Sequence, residues 1–386
     1  MVKSHDDAEL ARSISGQHLM ADELPKRSLA EQLANIHTLI RSRYDFIDRV
    51  ALALYDAPSD MLKTFVSSCD EPDILRAYEV ALAQVPSLQE IARLRRNRLV
   101  DDATSAFPGQ AVHTAWLREH GYRASYTAPI YEGQRLVAFL FYDSRQAAVF
   151  TPPIAAFLDT FSDIICELFL LQRHIVDGII ATVQVAVGLA KVRDLETGAH
   201  LERMARYSRS MARTLAPQLG LSDEFIEYVY LFAPLHDIGK VGIPDQILLK
   251  PGPLDADEWT VMKSHVDIGV RIIDNIAHEL FRQGHLAAQV MRNIVSGHHE
   301  RGDGSGYPLG LHLQDIPIEA RIVAVADVFD ALSHRRVYKS AWTAEQVYAE
   351  MQRELARGRL DADCVQALLK DPEQLRLISE RYSDPI

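Results

Sequence analysis

The chain has 386 residues and a formal net charge of −12, with 41 Lys and Arg against 53 Asp and Glu. That acidity argues against a protein that wraps duplex nucleic acid, which needs basic stripes. The composition, 48% hydrophobic and 24% charged, is that of a globular chain long enough for about two or three domains. Three widely separated cysteines (Cys69, Cys166, Cys364) make no disulfide framework. No apolar run reaches the roughly 18 residues of a membrane span, and MVKSHDDAEL lacks the apolar core of a secretion signal. The expectation is a cytoplasmic protein with no membrane insertion and no duplex nucleic acid as partner.

Residues 1–28 are polar and read as a flexible tail. From Ser28 to Arg43, Leu29, Leu33, Ile36 and Ile40 recur at helical spacing. Arg49–Tyr55 and Leu62–Ser67 read as strands either side of the turn-rich Asp56–Asp60 stretch. Leu88–Arg98 reads as a helix. Tyr122–Tyr131 and Leu136–Tyr142 read as a hairpin turning through Glu132-Gly133-Gln134. The first half is therefore α+β, on an antiparallel sheet. After Pro152-Pro153, Leu158, Phe161, Ile165, Leu168, Ile175 and Ile179 follow alternating three- and four-residue steps, with Gln172 interrupting. This predicts a long helix whose seam either pairs with a second copy of itself or is an ordinary buried face. From about Gly188 onward helical signals dominate. Leu201, Met204, Tyr207, Met211 and Leu215 form one core stripe. Further helices fit Glu224–His236, Ala256–Ile276, Ala287–His298, Ile318–Ser333 and Ala344–Glu354.

Histidine is unevenly placed. Five of the 15 fall in the first 173 residues and ten from His174 onward. His236-Asp237 is an adjacent imidazole–carboxylate pair; Glu196 and His200 are four apart and share a helix face. His265, the pair His298-His299, and Asp327 in an otherwise apolar helix complete an ordered set of eight. Any one of these alone is an ordinary residue. Together, imidazoles and carboxylates suit borderline transition metals, and eight candidates exceed the needs of one tetrahedral ion. Two metals held by a bridging carboxylate suit in-line displacement at phosphorus.

The segments HDIGK, GIPDQILLKPGPL, HHERGDGSGYPLGL, ARIVAVADVFDAL and SHRRVYKS resemble the HD-GYP domain, a subgroup of the HD phosphohydrolases, over about Gly188–Tyr348. The resemblance implies hydrolysis of cyclic di-GMP to pGpG and, in some members, to GMP. Cyclic GMP-AMP or another nucleotide is the alternative substrate, and a weakly catalytic cyclic di-GMP-binding module the alternative function. It implies two or three divalent ions, iron or manganese before others. His200, His236, Asp237 and Asp327 would hold one ion, and Asp237 would bridge to a second held by His265, His298 and His299. Glu196 matches the variant that holds a third. Lys240 resembles a lysine that reaches phosphate, the alternative being an exposed helix lysine. Arg336 and Lys339 match a basic pair that contacts phosphate or guanine. Asp303, Gly306 and Pro308 would shape the loop carrying Tyr307, with Gly306 taking backbone angles other residues avoid. Tyr307 would pack on substrate, on a partner or within the loop. Leu313 stands where the family often has glycine, which touches loop shape alone.

The first half resembles a GAF domain, a small-ligand sensor module, in strand order, the hairpin and the following helix. No cysteine is placed for a bilin. The organisation expected is multidomain: a tail (1–28), a GAF-like regulatory domain (29–152), a linker helix (153–187) and an all-α HD-GYP phosphodiesterase domain (188–386). A homodimer through the linker helix and GGDEF-type protein partners are further implications.

Overall fold

Ser28 opens the first helix with a capping box, its hydroxyl accepting from Glu31 N while the Glu31 carboxylate accepts from Ser28 N. The computed structural model describes residues 28–70, 75, 77–103, 112–191, 198–280, 285–334 and 342–383. The remainder of the expected tail, Glu196, Arg336 and Lys339 lie outside them. Helix α1 (Leu29–Arg43) buries Leu29, Leu33, His37 and Ile40. Strands β1 (Arg49–Asp56), β2 (Met61–Cys69) and β3 (Glu79–Ala81) follow, then α2 (Pro86–Leu94), β4 (Arg98–Val100), α3 (Val112–Glu119), β5 (Ala124–Glu132) and β6 (Arg135–Ser144). The sheet runs β3-β2-β1-β6-β5-β4 with every neighbouring pair antiparallel. Glu132 pairs with Arg135 across the two-residue turn, where Gly133 takes φ 60.

Two differences from the sequence expectation have local causes. The helix expected over Leu88–Arg98 is α2, which stops where Arg95 turns left-handed at φ 52 and frees Arg98–Val100 to join the sheet edge. The three-residue strands β3 and β4 are too short to carry a period in the sequence.

Helix α4 (Pro152–Lys191) is 40 residues long. Its seam splits between two cores. Leu158, Ile165 and Phe169 pack with α1 and the sheet, whereas Val176 and Ile179 pack among the helices that follow. These positions are ordinary buried faces within the chain. Among the described residues no helix is long and apolar enough to cross a membrane.

The helical half contains α5 (Gly198–Leu219), α6 (Asp223–Phe232), α7 (Asp245–Leu248), α8 (Ala256–Lys263), α9 (His265–Leu280), α10 (Leu286–Gly297), α11 (Ile318–Ser333), α12 (Ala344–Ala356), α13 (Ala362–Leu369) and α14 (Pro372–Arg381). The helix expected over Glu224–His236 ends at Phe232, because Pro234 opens a 3-10 turn over Ala233–Leu235. The one expected over Ala256–Ile276 breaks at Ser264, so that His265 begins a new helix.

The sheet packs directly on α5 and α6. Glu79 on β3 accepts from Arg209 and, at 2.8 Å, from Arg213. Buried Lys63 lies 3.7 Å from Glu227. Glu224 is buried where three helices meet: it accepts from Leu29 N, Gln172 Nε2 and the Tyr228 hydroxyl.

Candidate metal centre

The residue pair at the middle of the site sits in a turn rather than a helix. The 3-10 turn at Pro234 delivers His236 and Asp237, and a second one, Ile238–Gly242, carries the chain away. Gly239 makes this possible, since a Cβ there would lie 1.8 Å from the His265 carbonyl oxygen. The turn can therefore lie against the first residues of α9, which brings His265 to Asp237. His298 ends α10, where a Cβ on Gly297 would come within 2.8 Å of Ala320 Cβ. His200 lies in the first turn of α5 and Asp327 in the middle of α11.

Two groups of ligand-type atoms result, each within 4.8 Å: Asp237, His265, His298 and His299, and His200, His236 and Asp327. They adjoin through the His236-Asp237 pair, with His236 Nε2 3.2 Å from Asp237 Oδ2. His265 Nε2 and His298 Nε2 lie 3.1 and 3.6 Å from Asp237 Oδ1.

The histidines are oriented from behind. Carbonyl oxygens only accept, so Nδ1 carries the proton where it meets one: His236 donates to Ala233 O at 2.9 Å and His265 to Met262 O at 2.8 Å. His298 Nδ1 faces Ile294 O and Val295 O, both at 3.2 Å. The opposite nitrogen then presents a lone pair to the centre, the tautomer a metal requires. The buried Nε2 atoms of His265 and His298 and Oδ1 of Asp237 have no hydrogen-bond partner, which is costly in a protein interior without a cation to receive them. Burial, and next the neighbouring His298, hold the His299 imidazole far below its ordinary range; burial lowers His298 as well. Burial would raise the Asp237 carboxyl, but the Lys240 ammonium beside it holds it well below the usual carboxylate range. Neutral imidazoles around an ionised carboxylate are a donor set that fits divalent transition ions.

Three residues that the sequence reading passed over hold this arrangement. Asp330, one helical turn beyond Asp327, accepts from His200 Nδ1 at 2.7 Å. Arg203, one turn beyond His200, donates to both Asp330 oxygens at 2.6 and 2.9 Å. Arg203, His334 and His200 hold the Asp330 carboxyl far below its ordinary range against the opposing effect of burial. The third is Glu300, which is 2% exposed and accepts from Leu309 N at 2.7 Å and Leu311 N at 2.9 Å. It ties the far end of the following loop back to the centre. The available signals were the three-residue spacing of Asp327 from Asp330 and His200 from Arg203, and a carboxylate directly after His298-His299.

Lys240 places Nζ 2.9 Å from Asp237 Oδ2, at the rim of the cluster. Tyr307 stacks on His299 with centroids 4.6 Å apart. Asp303 stands away from the cluster, capping Ser305 N at 2.9 Å and pairing with Arg359 at 3.3 Å. The expected reason for Gly306 needs correction. Gly304 and Gly310 take the positive φ values, whereas Gly306 is needed for space: a Cβ would lie 2.3 Å from Arg301 N. The Tyr307–Pro308 peptide is cis.

Comparisons with known proteins bear on the same half. The HD domain family matches residues 195–364. Over 192 residues the chain is 48% identical to the cyclic di-GMP phosphodiesterase response regulator RpfG of Xanthomonas campestris, covering 50% of this chain and 47% of that protein. Over 194 residues it is 43% identical to a 3'3'-cGAMP-specific phosphodiesterase of Vibrio cholerae, covering 50% of this chain and 35% of that protein. A cyclic di-GMP phosphodiesterase of Thermotoga maritima is 38% identical over 226 residues, covering 56% of this chain and 58% of that protein. The chain thus spans about half the length of the curated relatives it matches, or less. Among solved structures, a GAF domain/HD domain protein from Geobacter sulfurreducens matches with 16% identity over 38% of this chain and 94% of that chain, at a TM-score of 0.31. The helical half of the chain is an HD domain related to the HD-GYP cyclic di-GMP phosphodiesterases.

Proposed function

We propose that this protein hydrolyses a phosphodiester bond of a cyclic dinucleotide, cyclic di-GMP before others, to linear pGpG, with GMP as the end product if the second bond is also cut. The observation that carries the proposal is the pair of ligand groups that adjoin through the His236-Asp237 contact. There, His200, His236, Asp237 and Asp327 would hold one divalent ion, and Asp237 with His265, His298 and His299 would hold a second. Two or three ions are proposed, Glu196 being the ligand that would serve a third. Iron and manganese suit this mixed nitrogen and oxygen set. When bound, such ions act as Lewis acids at the phosphate and make water nucleophilic at neutral pH.

The chain's own groups do the remaining work. Asp237, held ionised, faces the Nε2 atoms of His265 and His298 at 3.1 and 3.6 Å, so that all three can share one cation. Lys240 sets a positive charge at the rim for a phosphate oxygen. Arg336 and Lys339 contact phosphate or guanine, for which arginine offers a two-pronged fork. Tyr307 packs on substrate, its loop shaped by Asp303, Gly306 and Pro308. The local cluster of cations answers the overall charge of −12 where a dianionic substrate sits.

The organisation proposed is a GAF-like regulatory domain (29–152), a linker helix (153–187) and the HD-GYP domain (188–386), in a cytoplasmic homodimer along the helix. Ile164 and Leu171, seven residues apart and both exposed on α4, support that contact. GGDEF-type proteins are proposed partners of the Tyr307 loop. A second reading, cleavage of 3'3'-cGAMP, is favoured by the 43% identity to an enzyme of that specificity.

Turnover of cyclic di-GMP, 3'3'-cGAMP and a nucleotide monoester side by side, by protein purified without oxygen, tests the proposal. Fastest loss of cyclic di-GMP with pGpG as product is expected. Preference for 3'3'-cGAMP moves the reading to the second substrate. Binding of cyclic di-GMP without turnover, with iron or manganese loaded, overturns it in favour of a binding module.

A further inference from the structure

Helix α8 stands beside the centre and has no buried residue. It nevertheless carries Trp259, which is 48% exposed. A half-exposed indole presents a large flat π-face to solvent. Its surroundings are ordered. His299, part of the second ligand group, stacks on Tyr307 at 4.6 Å and 28°. Tyr307 in turn meets Trp259 edge-on at 6.4 Å and 78°. The ammonium of Lys263, one turn beyond Trp259, lies 5.9 Å from the Tyr307 ring centroid. An unbroken run of aromatic rings therefore leads from the ligand cluster to solvent. It ends in two near-perpendicular faces with a cation beside them.

We propose that Trp259 is a substrate-binding residue whose indole face stacks on one purine base of the cyclic dinucleotide, with Lys263 beside that base's phosphate. The proposal rests on the phosphodiesterase reading. Every base has a π-face, and base–aromatic stacking adds affinity without hydrogen-bond readout. Trp259 touches none of the ligand atoms and contributes to substrate binding alone, so its loss raises KM and leaves the chemical step intact.

The test compares wild type with Trp259→Ala and Trp259→Phe on cyclic di-GMP, with metal content measured for each. Trp259→Ala raises KM roughly 5- to 150-fold, the span of base–aromatic stacking, while kcat and bound metal stay within about twofold. Trp259→Phe restores most of the loss. A second readout uses indole fluorescence: the chain has three tryptophans, Trp116, Trp259 and Trp342. Addition of cyclic di-GMP quenches wild type, and Trp259→Phe abolishes the quench. Unchanged KM and unchanged quenching in an active protein overturn the inference and leave the phosphodiesterase reading standing. A fall in kcat or metal content at unchanged KM also overturns it, by making Trp259 structural. A wild type that neither binds nor cleaves any cyclic dinucleotide removes both.

Discussion

Replacing Asp330 by Asn changes one oxygen to an NH2 group in a site with no slack. The carboxylate receives three hydrogen bonds from Arg203 and His200, at 2.6, 2.9 and 2.7 Å, and Arg203 is 1% exposed. An amide has one acceptor oxygen, so donors of the guanidinium and imidazole are left facing an NH2. Each unsatisfied charge-assisted bond costs about 1.5–3 kcal/mol. Two such losses agree with the roughly 3–5 kcal/mol found when one member of a buried ion pair is removed. The same change releases His200 from the group that fixes its ring, and losing such a support lowers metal affinity about 10- to 100-fold. Urea unfolding followed by circular dichroism measures the first effect. Metal retained after dialysis against a competing chelator measures the second. A stability loss below about 1 kcal/mol, or metal retention equal to wild type, would refute the argument that Asp330 supports the centre.

Two further outcomes follow from other buried groups. Glu300→Gln keeps one of the acceptors that bind Leu309 N and Leu311 N. It is expected to cost about 1–3 kcal/mol and to raise KM through a loosened loop, measured by steady-state kinetics; faster proteolysis near Tyr307 is the accompanying sign. His285 caps α10 through Ala287 N, and burial lowers its pKa from 6.5 to about 4. The folded value lies below the unfolded one, so the unfolded chain binds the extra proton across that window and stability falls as pH falls through it. His285→Asn keeps a capping side chain and removes the titration. Wild type should lose up to roughly 3 kcal/mol more than the variant between those two pH values, read from unfolding midpoints; parallel pH profiles would contradict this.

How much the sequence revealed depended on how specific each chemistry is. Few residue types bind transition metals, so the eight positions were legible as an ordered set though none was telling alone; seven are found together in space, and Glu196 lies outside the described residues. The supports were harder to see. Asp330 and Arg203 form a buried pair between residues 127 apart in sequence, and the one-turn spacing of each from a ligand does not say that they meet. Gly239 and Gly306 serve close backbone approach, which depends on what folds against them. The break at Ser264 was hidden because Ala256–Ile276 keeps its apolar spacing through the kink. The seam of α4 was ambiguous because a helix that serves two cores in turn has the period of one that meets a second copy.

The central claim is that His236 and Asp237 join two ligand groups into one hydrolytic centre. The most direct measurement is turnover of cyclic di-GMP by wild type and by His236→Ala/Asp237→Ala, with metal per chain and nucleotide binding determined on the same samples. The account predicts pGpG formation by wild type with at least two ions per chain. The double variant should lose metal and turnover while its fold persists by circular dichroism. Undiminished turnover in the double variant, or a metal-loaded wild type that binds cyclic di-GMP and never cleaves it, would contradict the claim.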